Sequence, residues 1–177
     1  EPISIPDISL GLRDAIASLE TPWGGVGIAA QGSGHLRSRF DGRLWVRSPQ
    51  LGGGGCTAKR LRYDGKVSIR NARPAFEGSA SAVRADCPDQ DLAAMAPAFA
   101  GKVQFTEAFD RWLGDVGVAA TSIRSDDMRA SELLARLDFD GSARRTRYAI
   151  DLDQLALHMP ELSVRAVSGK AEGMLVS

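Results

Sequence analysis

Hydrophobic and polar positions alternate along most of this chain, and the period is two. Val26, Ile28 and Ala30 alternate with Gly27 and Ala29. Leu44 and Val46 share one parity, with Arg43, Trp45 and Arg47 on the other. Leu61 and Tyr63 oppose Arg60 and Arg62, and Val67 and Ile69 oppose Lys66, Ser68 and Arg70. The last third repeats the pattern: Val116, Val118 and Ala120; Leu133, Ala135, Leu137 and Phe139; Tyr148, Ile150 and Leu152; and Val164. Strict alternation of this kind predicts antiparallel strands with one dry face and one wet face. Asp41-Gly42, Asp64-Gly65 and Asp140-Gly141 read as hairpin turns. Gly52 to Gly55 and Asn71 to Pro74 read as further breaks.

One segment departs from this period. Ser9 is a fair N-cap, and Leu12, Ala15, Ile16 and Leu19 follow at i, i+3, i+4 and i+7. Thr21-Pro22 ends the run. The spacing predicts a helix over residues 9–20. Residues 88–114 fit two readings. Val103 and Phe105 alternate as a strand would, whereas Thr106 could cap a short helix carrying Phe109 and Leu113.

The expected fold class is mostly β: a curved antiparallel sheet, taco-like or sandwich-like, with one short N-terminal helix. Residues 1–177 read as a single β-rich domain or a segment of a larger protein, with strands and hairpins from about 24 to 177. A helix of about 12 residues spans only about 18 Å. A sheet of six to nine strands is about 30 to 40 Å wide. The helix cannot cover it, so the sheet must curl or leave part of its dry face open.

Composition narrows the function classes. Lys and Arg number 22 and Asp and Glu 22, so no basic field exists to hold nucleic acid. No run of about 18 apolar residues suits a membrane-crossing helix. Glu1 is not a start residue and no leader pattern is visible, which suggests an excised piece.

The candidate chemistry is sparse. His35 and His158 have no partner motif and read as surface or turn residues. No G-x-S-x-G elbow exists, so the chain is not expected to be an enzyme. Two His and two Cys in no zinc spacing give no expected metal site or cofactor. Gly52 to Gly55 lack the Lys-Ser/Thr that a phosphate loop needs. The acids Asp126-Asp127 and Asp151 with Asp153 read as solvated charges, the latter pair beside Arg145 and Arg147. Cys56 and Cys87 read either as one disulfide or as two unrelated buried thiols. A bridge would stabilise the fold by about 3.5 to 4 kcal/mol and imply an oxidising compartment. The aliphatic parity is the feature able to carry function. It is either an ordinary core or a groove for acyl chains, in which each buried methylene contributes about 0.8 kcal/mol.

The stretch GVGIAAQGSGHLRSRFDGRLWV, Gly25 to Val46, carries a resemblance. It continues through Ser48-Pro49-Gln50-Leu51, the glycine run and Cys56, and then Ala85-Asp86-Cys87-Pro88 and Leu137-Asp138-Phe139-Asp140-Gly141. The chain resembles the YdbH-like proteins of Gram-negative envelopes, relatives of the AsmA-like lipid-transport proteins. The resemblance implies a periplasmic segment of a parent anchored in the inner membrane. It also implies a long curved sheet whose hydrophobic groove conducts phospholipid, and no catalytic residues. Parity proposes Leu44, Val46, Val67, Ile69, Val116, Val118, Leu137, Phe139, Ile150, Leu152 and Val164 as groove-lining positions. The expected partners are a phospholipid or other acyl-chain ligand, the rest of the parent protein, and envelope proteins. The alternative is a structural or protein-interaction module with a closed hydrophobic core.

Overall fold

The computed structural model describes residues 5–126, 128–142, 144–159 and 162–176. Twelve antiparallel strands make one sheet. They are β1 (Ser9–Thr21), β2 (Gly24–His35), β3 (Arg39–Gly53), β4 (Cys56–Arg70), β5 (Arg73–Ser81), β6 (Arg84–Cys87), β7 (Leu92–Met95), β8 (Ala98–Phe105), β9 (Arg111–Ser125), β10 (Met128–Ser142), β11 (Arg145–Met159) and β12 (Leu162–Val176). The main path runs β1-β2-β3-β4-β5-β8-β9-β10-β11-β12. Among the described residues the sole helical element is a 3-10 turn, Pro88–Gln90.

Six strands close a ring of pairings, β4–β5–β8–β9–β7–β6 and back to β4. The registers explain the ring. β4 meets β5 at Arg62↔Ser81 and β6 at Lys59↔Arg84, both on the edge opposite β3. β9 likewise meets β8 up to Ala98↔Ala119 and β7 from Met95↔Ser122. β5 with β6, and β7 with β8, are therefore two long strands, each interrupted once. The ring encloses the interruptions at 82–83 and 96–97, whose backbones bond Val83 N–H to Lys59 O and Ala96 N–H to Val83 O.

The expected N-terminal helix over 9–20 is absent, and β1 stands there instead. It pairs with β2 through Leu12↔Gly32, then through Ala15↔Ala30, Ala17↔Ile28 and Leu19↔Val26. The register shifts between Leu12 and Ala15, where Asp14 has φ 51°. One extra residue in an alternating strand turns a spacing of two into three. That bulge made Leu12 and Ala15 look helical. Ile16 falls on the other face and is 81% exposed.

The three Asp-Gly pairs are not turns either. Asp41-Gly42, Asp64-Gly65 and Asp140-Gly141 lie inside β3, β4 and β10. The strands reach 15 residues, longer than the alternation suggested, and turn elsewhere. Gly54 and Gly55 turn with φ 57° and 76°, and Asn71 and Ala72 with φ 51° and 57°. The mid-strand glycines serve a different purpose. A Cβ at Gly78 would lie 2.5 Å from Gly65 Cα, and one at Gly101 would lie 2.7 Å from Val116 Cα. At both positions the neighbouring backbone rises on the side to which that Cβ would point. Aromatic rings cover other glycines on the same side. Phe40 stands over Gly32 and Gly42, Tyr63 over Gly65, Phe139 over Gly114 and Tyr148 over Gly173. Glycines under close backbone or aromatic cover are a recurring device in strongly bent sheets.

Among the described residues no second layer covers the sheet. The accessible surface is 11858 Å², against about 8,300 Å² for a compact protein of this mass. The buried cluster is small and sits at one end: Ile5, Phe40, Ile69 and Ala72, with Leu10, Leu36, Val67 and Phe109 against it. Phe105 joins this end, edge-to-face with Phe76 at 6.0 Å and tilted against Phe109 at 5.6 Å. The opposite end is pinned by the Cys56–Cys87 disulfide, so the two thiols are one bridge.

Candidate functional site

The registers assemble the dry face residue by residue. One cross-strand row runs Ala15, Ala30, Leu44, Gly65, Gly78, Gly101, Val116, Leu137, Ile150 and Ala171, from β1 to β12. The next row toward the clustered end runs Leu12, Gly32, Gly42, Val67, Phe76, Val103, Gly114, Phe139, Tyr148 and Gly173. The row on the other side runs Ala17, Ile28, Val46, Tyr63, Ala80, Phe99, Val118, Ala135, Leu152 and Gly169. None of these positions carries a charge. Such rows stand about 7 Å apart along the strands, and neighbouring strands about 4.8 Å apart.

Ten of the eleven groove candidates fall on this one face. Leu44, Val46, Val67, Val116, Val118, Leu137, Phe139, Ile150 and Leu152 stand in the three rows. Ile69 pairs with Phe40 one row nearer the clustered end. Val164 pairs with Leu157 beyond two register shifts between β11 and β12 and is half-buried. Nearly all the face is half-buried although, among the described residues, no second layer lies over it.

Alternation did not identify the glycine floor. Gly65, Gly78 and Gly101 are direct neighbours on β4, β5 and β8. They form a patch without side chains between Leu44 and Val116, closed over by the Tyr63 ring at Gly65 and by neighbouring backbone at Gly78 and Gly101. The signal was present in the sequence: all three Asp-Gly pairs, Asp41-Gly42, Asp64-Gly65 and Asp140-Gly141, put Asp on the wet parity and Gly on the dry one. The Tyr63 hydroxyl is buried here and has no hydrogen-bond partner among the described residues. Burial, and after it the charge of Asp64, pushes the Tyr63 phenol above its ordinary range.

The other face carries the charges. Arg43 donates to both Asp64 oxygens at 3.0 and 3.2 Å. Arg70 donates to Asp41 at 2.6 Å, and its other nitrogen donates to Phe40 O and Ile69 O. Lys170 on β12 meets Asp151 on β11 across the strands at 2.9 Å. Asp126 stands in a turn with φ 41°, and Asp127 lies outside the described residues.

His35 and His158 are not brought together. His35 ends β2 beside Asp7 at 3.0 Å, and His158 sits near the far end of β11, 3.2 Å from the Ser163 hydroxyl. Among the described residues no group of three or more His, Cys, Asp or Glu is placed to hold a metal ion. Gly52 and Gly53 finish β3 and Gly54 and Gly55 turn into β4, with no helix behind them.

Compared with models of known protein families, with curated proteins and with solved structures, the chain matches none of them.

Proposed function

We propose that the dry face of the sheet is a binding surface for the acyl chains of a phospholipid, with the sheet curled around it like a taco. The observation that carries this reading is the uncharged face, which crosses all ten strands of the main path and has no covering layer among the described residues. The mechanism is passive. Each methylene laid on the face contributes about 0.8 kcal/mol, so a chain of ten methylenes gains about 8 kcal/mol before ordering costs. The headgroup stays at the open margin. The Ile5–Phe40–Ile69 cluster gives this surface a stopped end. The disulfide and the resemblance support a periplasmic segment of an inter-membrane phospholipid transport protein, its parent anchored in the inner membrane.

Native mass spectrometry with lipid extraction tests the reading. Phospholipid should co-purify or bind when added, and Val116→Asp with Leu137→Asp should abolish it. Protein that binds no phospholipid at any added concentration would sink the idea.

A second reading rests on the edges. Among the described residues β1 and β12 each pair on one side only, leaving a row of backbone groups without ladder partners there on the other. An envelope protein-interaction module would add a partner's strand there, in which case the partner binds without lipid.

A further inference from the structure

A band of arginines crosses the wet face at the stopped end, and only the register reveals it. Arg39 stands opposite Arg70, and Arg70 opposite Arg73. Farther along, Arg111 stands opposite Ser142, and Ser142 opposite Arg145. Thr106 stands beside Arg111, whose amide donates to its hydroxyl at 3.2 Å. Like charges directly opposite one another destabilise a sheet. Among the described residues two carboxylates reach three of these five arginines, while Glu77 and Asp115 stand directly opposite the adjacent Lys102. Asp41 serves both Arg70 and Arg39, and Asp140 lies 3.7 Å from Arg111.

Between these arginines the wet face opens into a hollow of about 680 Å³. Its small residues are Ser68 and Ala75, direct partners on β4 and β5. Its charged lining is Arg70, Arg73, Lys102 and Arg111 against the single carboxylate of Asp140. Arg73 and Lys102 meet no carboxylate within 4.0 Å among the described residues, and both are exposed. Arg70 is held in place by two backbone carbonyls and Asp41. A fixed guanidinium with further cations around it suits an oxyanion that accepts several hydrogen bonds.

We propose that this hollow binds a phosphate group, with Arg73, Lys102 and Arg111 as its cationic ligands and Arg70 as the pre-positioned wall. The chain has no net charge, so the site depends on placement and not on an overall basic field. It lies on the face opposite the proposed lipid surface and does not rest on that reading.

The test titrates purified protein with inorganic phosphate and, separately, with phosphatidylglycerol vesicles, at low ionic strength. Arg73→Gln and Lys102→Gln should each weaken binding about tenfold. Arg47→Gln, on the same face but outside the hollow, should leave it unchanged. Saturable binding of inorganic phosphate without the vesicles identifies a soluble phosphate compound as the source. Vesicle binding that depends on Arg73 and resists competing phosphate identifies a lipid headgroup. Saturable binding by neither probe overturns the proposal. So does an equal loss in Arg47→Gln, which would reduce the effect to diffuse charge.

Discussion

Gly101→Ala and Gly117→Ala are the same chemical change, 16 residues apart, and should have opposite effects. Both glycines lie within strands, and Gly101 is paired with Val116, the residue next to Gly117. Gly101 points to the dry face, where a methyl would stand 2.7 Å from Val116 Cα and overlap the Asp115 carbonyl oxygen. Backbone cannot swing away as a side chain can, so β8 and β9 must part. Overpacking of this kind costs about 1 to 3 kcal/mol. Gly117 points to the wet face, and a methyl there meets nothing nearer than Ala100 O at 3.5 Å. Its ordinary φ adds no strain, and removing a glycine from the unfolded chain gains about 0.4 to 1 kcal/mol. For a chain of this size each kcal/mol shifts Tm by about 2 to 4 °C. Gly101→Ala should therefore melt about 2 to 12 °C lower, and Gly117→Ala at or slightly above the parent. Differential scanning calorimetry of the three proteins decides it. Equal shifts for the two variants would refute the claim that the glycines mark close backbone approach.

The Cys56–Cys87 bridge spans a sequence separation of 31 residues. On the chain-entropy model this is worth about 3.7 kcal/mol, so Cys56→Ser with Cys87→Ser should lower Tm by about 10 °C, and an unchanged melt would contradict the bridge's role. Ile16→Lys should change stability by less than about 0.5 kcal/mol, whereas Phe40→Ala should cost about 3 to 5 kcal/mol in urea unfolding; the reverse order would restore the helical reading of residues 9–20. Hydrogen bonding to Arg84, then its charge, holds the Asp86 carboxyl below its ordinary value of 3.8. A lowered native value stabilises the fold above the ordinary value and is lost as pH falls through the native one. In an NMR titration Arg84→Gln should bring Asp86 back up toward 3.8 and move acid unfolding to higher pH; an unmoved Asp86 would refute the pairing.

Alternation carried the face assignments, because the pleat imposes a period of two whatever surrounds the strand. Leu44, Val67, Val116, Leu137 and Ile150 could therefore be placed together before any pairing was known. What failed was local propensity where the sheet overrides it. Asp64-Gly65 has the composition of a turn, yet Gly65 is needed mid-strand, beneath the Tyr63 ring and against the Glu77 carbonyl. The bulge at Asp14 shifted the hydrophobic count by one and counterfeited a helix. Most of the arginine band was beyond reach: Arg70 and Arg73 flank one turn, but Arg39 and Arg111 join them only across strands, and alternation carries no register.

Once β5 with β6 and β7 with β8 are taken as single interrupted strands, every pairing joins segments consecutive in the sequence. Such a meander is scalable. Inserting one hairpin of about 30 residues would widen the sheet by about 9.6 Å and return the chain to the same edge with the same face inward. Added at the β12 margin it would leave the described contacts as they are, because no pairing among the described residues joins β12 back to β1. The same connectivity lets the molecule fold by zippering, each hairpin templating the next with short loop closures. Width, and with it the area of the uncharged face, is thus a quantity that duplication can tune in steps while the chemistry of each strand stays as it is.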